Sequence, residues 1–193
     1  MLYFPARALL SASMLVAGAW ASGTEVVYQL DPEHTYPSFE SDHFDGASIW
    51  RGKFTRSSGT VSLDREARTG TVLATIDMAS VSIGNDQLDK ELRSDKFFDV
   101  QKYPTAQYSG KIRFKGDTPA EVIGTLRMHG VVRTLNLKIV SFKCYQNPLL
   151  KREVCGTEST GTFQRDDFGI DYAKQLGFRM KNTLHIQAEG IRQ

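Results

Sequence analysis

From Ala21 onward the apolar positions of the chain recur mainly with a period of two. Val122, Gly124, Leu126 and Met128 alternate with Ile123, Thr125 and Arg127. Leu135, Leu137 and Ile139 alternate with Thr134, Asn136 and Lys138, and Leu184, Ile186 and Ala188 with Thr183, His185, Gln187 and Glu189. Val72, Ala74, Ile76 and Met78 follow the same rule against Thr71, Thr75 and Asp77. Successive side chains of a strand leave opposite faces, so this is the pattern of antiparallel strands with one dry face and one wet face. Turn signals separate the runs at Asp45-Gly46, Ser58-Gly59, Thr69-Gly70, Lys115-Gly116-Asp117 and His129-Gly130. The pattern predicts strands near 26–30, 36–44, 49–63, 70–78, 105–114, 121–128, 131–144 and 155–165, with 180–190 as a ninth candidate. The segment 49–63 is expected to bend or break at Ser57-Ser58-Gly59. Closely spaced strands joined by tight turns imply an up-and-down barrel or a sandwich.

One segment departs from the period. Asn85 to Arg93 is polar, with Leu88 and Leu92 four residues apart. Asp86 lies early in it and Lys90 and Arg93 late, the charge order that a helix dipole prefers. A short helix is predicted there, and Pro104 then starts an extended segment.

Composition narrows the function. The 193 residues carry 24 Lys+Arg against 22 Asp+Glu, a net charge of +2. So balanced a chain has no overall basic field, which argues against nucleic acid as a partner. The first residues read as an address. Arg7 is followed by an apolar stretch through Leu15-Val16-Ala17 that ends in Ala19-Trp20-Ala21, a small-x-small cleavage pattern. A signal peptide over 1–21 and one mature domain over 22–193 are expected, with export to the periplasm. Export changes the meaning of Cys144 and Cys155. In an oxidising compartment two nearby cysteines pair, and the Asn147-Pro148 turn between them predicts a hairpin clamped near its base.

Catalytic motifs are missing. The chain has no G-x-S-x-G elbow, no H-E-x-x-H and no Gly-rich phosphate loop. His34 and His43 would have to converge across adjacent strands to bind a metal; the reading adopted is ordinary turn and strand histidines, with no metal and no catalytic cofactor. Asp166-Asp167 and the Asp42, Asp45 pair read as solvated loop carboxylates. The 11 phenylalanines are more informative. They fit a packed β-core, and equally a closed barrel of about eight strands holding one apolar ligand.

Several motifs together resemble a known family. They are Tyr28-Gln29-Leu30-Asp31-Pro32-Glu33-His34-Thr35, Gly52-Lys53-Phe54 with Gly59-Thr60-Val61, and Leu92-Arg93-Ser94-Asp95-Lys96-Phe97-Phe98-Asp99-Val100 with Tyr103-Pro104-Thr105-Ala106. Gly124-Thr125-Leu126-Arg127-Met128-His129-Gly130-Val131-Val132-Arg133 and Arg165-Asp166-Asp167-Phe168-Gly169 follow in order. In this order they resemble the YceI family of lipid- or polyisoprenoid-binding proteins over essentially the whole mature chain. Two departures stand out. The helix reads Gln87-Leu88-Asp89-Lys90-Glu91-Leu92 where the family commonly has Arg-Asp-x-His-Leu, and Tyr36-Pro37-Ser38-Phe39 replaces an alternating apolar strand.

The resemblance implies a mainly β fold, an extended lipocalin-like antiparallel barrel of about eight strands with one short flanking helix. It implies a non-catalytic periplasmic carrier of a long isoprenoid lipid, of polyprenyl or quinone type. It also implies a membrane cytochrome or other respiratory protein as a partner, and a homodimer stays open. Parity then aims Leu126, Met128, Leu135, Leu137 and Ile139 into the tunnel. Phe39, Phe97, Phe98, Phe114 and Phe168 are candidates for its wall, with plain core packing as the competing role. His34, Arg93 and Asp99 are candidates for its mouth, with a surface or capping role competing. Two rival functions remain: an interaction module without cargo, and an enzyme acting on a prenyl lipid, which would need a buried acid or base of shifted pKa.

Overall fold

The computed structural model describes residues 24–193; the expected signal peptide, 1–21, lies outside them. Among the described residues there are twelve strands and one α-helix. In chain order they are β1 (Val26–Leu30), β2 (Tyr36–His43), β3 (Ser48–Phe54), β4 (Ser57–Asp64), β5 (Thr69–Asp77), β6 (Val81–Ser82) and α1 (Asp86–Arg93). Then follow β7 (Thr105–Lys115), β8 (Thr118–Met128), β9 (Val131–Thr134), β10 (Leu137–Asn147), β11 (Arg152–Gln164) and β12 (Lys181–Arg192). None of the described helices is long and apolar enough to cross a membrane.

Eight strands close a ring in the order β1-β4-β5-β7-β8-β10-β11-β12, with β12 pairing back onto β1. Every pairing is antiparallel. The architecture is therefore a closed barrel and not a sandwich. Strand β12 is long enough to serve two neighbours on one edge. Its Gly190–Arg192 end pairs with β1, and its Asn182–Gln187 stretch pairs with β2. Strands β2, β3 and β6 thus extend the wall beyond the ring at one end.

The first strands are broken so that they can serve both parts. Between β1 and β2, Pro32 has no N–H for a ladder, and the Asp31 carboxylate accepts from the Glu33 N–H and engages His34 Nδ1 at 2.8 Å. Buried Thr35 holds the bend by exchanging hydrogen bonds with the backbone of Glu189. Between β3 and β4 the break falls at Thr55-Arg56, before the expected Ser57-Ser58-Gly59. Its cause is distant in sequence: the Thr55 N–H donates to Ser80 O and the Arg56 N–H to Ser80 Oγ. The predicted strand 131–144 is likewise two, β9 and β10, although the Leu135 N–H still bonds Gly124 O across the gap.

Helix α1 starts at an Asn85 cap, whose side chain accepts from the N–H groups of Gln87 and Leu88. Buried Asp89 accepts from the Ile83 N–H at 2.7 Å. Arg93 fastens the helix end by donating to Ala79 O and Val81 O, both at 2.9 Å. Leu88, Glu91 and Leu92 face the barrel interior, while Asp86, Gln87 and Lys90 are exposed.

Candidate functional site: a blind apolar cavity

The interior of the barrel is hollow. A cavity of about 440 Å³ runs along the inner faces of the strands, within the range of about 300–1,000 Å³ usual for small-molecule sites. It is lined from Asn182 to Gly190 of β12, eight residue steps. At a rise of about 3.3 Å per residue this is a length of about 26 Å. The wall is apolar because the period-two face of each strand is turned inward. Val72, Ala74, Ile76, Leu184, Ile186 and Ala188 all line it.

One end is closed. Tyr28, Leu63 and Cys155 are buried there. The Tyr28 hydroxyl donates to Glu153 Oε1 at 2.6 Å, and Arg65 Nη2 reaches both oxygens, at 3.0 Å and 3.2 Å. Burial and the bond to Glu153 push the Tyr28 hydroxyl above its ordinary pKa. The Glu153 carboxyl is held below its ordinary value by the Tyr28 hydroxyl and then by the Arg65 charge. The disulfide Cys144–Cys155 seals the same end, joining directly opposed residues of β10 and β11. Cys144, Glu153 and Cys155 gather ligand-type atoms, but the disulfide leaves no thiolate for a metal.

The other end is open. Asp42, His43 and Trp50 of the β2–β3 hairpin line the cavity there, with Tyr172 and Phe178 of the loop before β12. His43 stacks 5.2 Å from both Trp50 and Phe178. The Arg179 N–H bonds Asp42 and its Nε bonds Asp45 at 3.0 Å, tying the loop to the hairpin. Phe44, Ile49 and Leu176 project into solvent around this mouth.

The structure brings together Phe39, Phe97, Phe98, Leu126, Met128, Leu135, Leu137 and Ile139 on the cavity wall. Phe114 and Phe168 are placed elsewhere. Phe114 follows a register shift in the β7–β8 pairing and sits opposite Pro119, packed against the core without lining the cavity. Phe168 is 1% exposed, edge-on to Phe163 at 5.5 Å, with its carbonyl accepting from His129 Nδ1. None of the three mouth candidates lines the cavity. His34 is an exposed partner of Asp31, which raises its pKa by hydrogen bonding. Arg93 is occupied with the carbonyls of Ala79 and Val81. Asp99 is a turn residue at φ 44°, its carbonyl accepting from Lys102 and Tyr103. His34 and His43 flank opposite ends of β2, so they do not converge on a metal.

Other lining residues carried no signal of their own in the period. Trp50, Phe178 and Asn182 belong to the mouth, Tyr108 to the mid-wall, and Arg165 is a cation on an apolar surface. The Tyr108 hydroxyl is raised in pKa by burial and donates to Leu135 O at 3.0 Å.

A YceI-like domain matches residues 28–190. The chain belongs to the YceI family. A UPF0312 protein of Pseudomonas putida is 29% identical over 190 residues, covering 96% of each chain. A UPF0312 protein of Pseudomonas aeruginosa is 31% identical over 171 residues, 86% of this chain and 87% of that protein. Among solved structures, BcnA of Burkholderia cenocepacia superposes with a TM-score of 0.68 at 18% identity, over 83% of this chain and 98% of that one. A polyisoprenoid binding domain from Saccharophagus degradans superposes with a TM-score of 0.61 at 17% identity, over 86% and 98%. The YceI protein of Campylobacter jejuni gives 0.64 at 21% identity, over 95% and 99%. These YceI-family likenesses establish the shared fold.

Proposed function

We propose that this YceI-family protein is an exported, non-catalytic carrier that holds the chain of a long isoprenoid lipid, of polyprenyl or quinone type, inside its barrel. The observation that carries this reading is the cavity itself: elongated, apolar, blind at Tyr28 and open beside Trp50 and Phe178. Such a space suits one extended hydrocarbon chain, and the Saccharophagus degradans neighbour is described as a polyisoprenoid binding domain. A 40-carbon chain, were all of it buried, would release at most roughly 32 kcal/mol gross at about 0.8 kcal/mol per CH₂. The ligand-efficiency bound of about 0.3 kcal/mol per heavy atom reduces that to roughly 12 kcal/mol. Cargo of that affinity survives purification. Export to the periplasm is supported by the Ala19-Trp20-Ala21 pattern and by the paired cysteines, since disulfides persist in oxidising compartments.

The test is extraction of gently purified protein with organic solvent, followed by mass spectrometry of the lipid and native mass spectrometry of the intact complex. One prenyl species at about one per chain supports the carrier. Protein that is empty, and that takes up no prenyl lipid when offered it, rejects the carrier. A second reading, an interaction module, draws on the β10–β11 hairpin tip, where Leu149 is 90% exposed.

A further inference from the structure

One cation stands on the apolar wall near the mouth. Arg165 opens the turn that follows β11, lines the cavity, and is 7% exposed. Its Nη1 donates to Ile170 O and its Nη2 to Tyr172 O, both at 2.7 Å. The guanidinium carbon lies 5.7 Å from the centroid of the Phe97 ring. A guanidinium has five N–H donors, so these two carbonyls leave part of the fork free. Carbonyl dipoles solvate its charge without forming an ion pair.

The nearest acids do not pair with it: Asp166 and Asp171 favour its charge only from a distance, and less than burial disfavours it. Asp166, next in sequence, pairs with Lys174 at 2.7 Å. Glu91, which also lines the cavity, pairs with Lys96 at 2.8 Å. Asp45 pairs with Arg179. Among the described residues no carboxylate forms a salt bridge with Arg165. A buried charge without a salt-bridge partner is costly, and burial pushes the guanidinium pKa down even though Asp166 and Asp171 act the other way. A second polar side chain is held at the same place. Met180 O accepts both the Arg165 N–H at 2.9 Å and the Asn182 amide at 3.1 Å, and Asn182 also lines the cavity.

We propose that Arg165, with Asn182 beside it, seats the anionic head group of the cargo, a phosphate or a carboxylate. The inference rests on the carrier reading above and specifies the class of lipid. A planar fork matches two oxygens of such a head at once, which an ammonium would not do. The arrangement also orients the cargo. The head sits at the mouth, between the β2–β3 hairpin and the loop before β12, and the chain runs toward Tyr28. A neutral head would leave the buried charge as it is, so the site discriminates between lipids with identical chains.

The experiment is calorimetric titration of delipidated protein with geranylgeranyl phosphate and, separately, with geranylgeraniol. The phosphate binds the wild type at least about tenfold more tightly, a difference of about 1.4 kcal/mol. In Arg165→Met this preference disappears, while affinity for the alcohol stays within about twofold. Arg165→Lys keeps part of the preference because charge remains without the fork. Should Arg165→Met fail to fold, the wild-type comparison decides alone. Equal affinity for the two lipids overturns the head-group assignment and leaves the carrier standing. Binding of neither lipid overturns both. Inorganic phosphate that binds as tightly as the prenyl phosphate would reveal a free-anion site and overturn the lipid assignment.

Discussion

The ring of Tyr108 on β7 packs over Gly124 of β8, two positions along from its register partner Leu126: a Cβ on Gly124 would stand 2.4 Å from the tyrosine hydroxyl, which donates to Leu135 O at 3.0 Å. The glycine is there for close approach, since its φ is unremarkable, and the ring it admits forms part of the cavity wall. Gly124→Ala must push that ring inward or break its bond. The expected cost is about 1–3 kcal/mol, as for other overpacked interiors. Tyr108→Phe loses only the hydrogen bond, about 1 kcal/mol. Urea unfolding of both variants checks the order; an alanine variant as stable as wild type contradicts the geometry.

Filling or charging the cavity should empty it of cargo. Leu126 faces the cavity from β8 and Ala188 from β12. Leu126→Arg brings an unpaired charge into an apolar space and should lower the lipid recovered per folded chain by about tenfold or more. Ala188→Phe occupies the same space without a charge, so it separates loss of volume from loss of fold. Lipid extraction beside circular dichroism measures both. Full lipid content in folded Ala188→Phe would mean that the cargo lies elsewhere.

The closed end sets an acid limit on stability. Glu153 has its pKa lowered in the folded state by the Tyr28 hydroxyl and by Arg65. The unfolded chain therefore takes up this proton first as pH falls. The stabilisation is fully present above the unfolded value, about 4.3, and is lost as pH drops through the lower folded value. Asp166, lowered by Lys174, adds a slope of the same sign. Glu153→Gln should cost about 1–2 kcal/mol at neutral pH and leave a shallower decline below pH 5. Urea midpoints between about pH 3 and pH 7 give the slope. A variant that keeps the wild-type slope would assign the acid limit to other carboxyls.

Reducing Cys144–Cys155 should loosen the β10–β11 hairpin at its base. Closing a loop of this length is worth about 3 kcal/mol, or roughly 6–12 °C in Tm for a domain of this size. Thermal melts with and without dithiothreitol test it. The lipid content at 25 °C should not change, because the mouth lies at the opposite end of the barrel.

Period two identified which faces of the strands turn inward. Leu126, Met128, Leu135, Leu137 and Ile139, and likewise Leu184, Ile186 and Ala188, sit on the wall because strand geometry leaves no other choice once one face is dry. The same rule could not give depth along the barrel axis. Phe114 has an inward parity but lies past a register shift near the closed end. The break in 49–63, expected at Ser57-Ser58-Gly59, falls just before it at Thr55-Arg56, and the break at Leu135-Asn136 had no local signal. The first depends on Ser80, some two dozen residues away. Arg165 escaped notice as a site residue because charged side chains are ordinarily outside. Its only clue was membership in the Arg165-Asp166-Asp167-Phe168-Gly169 motif, which says nothing of direction. The mouth was illegible for a related reason: its loop, 171–180, has no period to read.

The Tyr28–Glu153–Arg65 cluster makes the barrel a gauge. A tube open at both ends would grip a hydrocarbon of any length, whereas one with a fixed stop measures what enters it. Each added isoprene unit strengthens the grip until the chain spans the cavity, about 26 Å by strand rise. In a prenyl alcohol, which has no anionic head to seat at Arg165, units beyond that stay outside, against Phe44, Ile49 and Leu176 at the rim. A series of prenyl alcohols of increasing length should accordingly show affinity that climbs and then levels off, and the plateau would mark the distance from the stop to the rim.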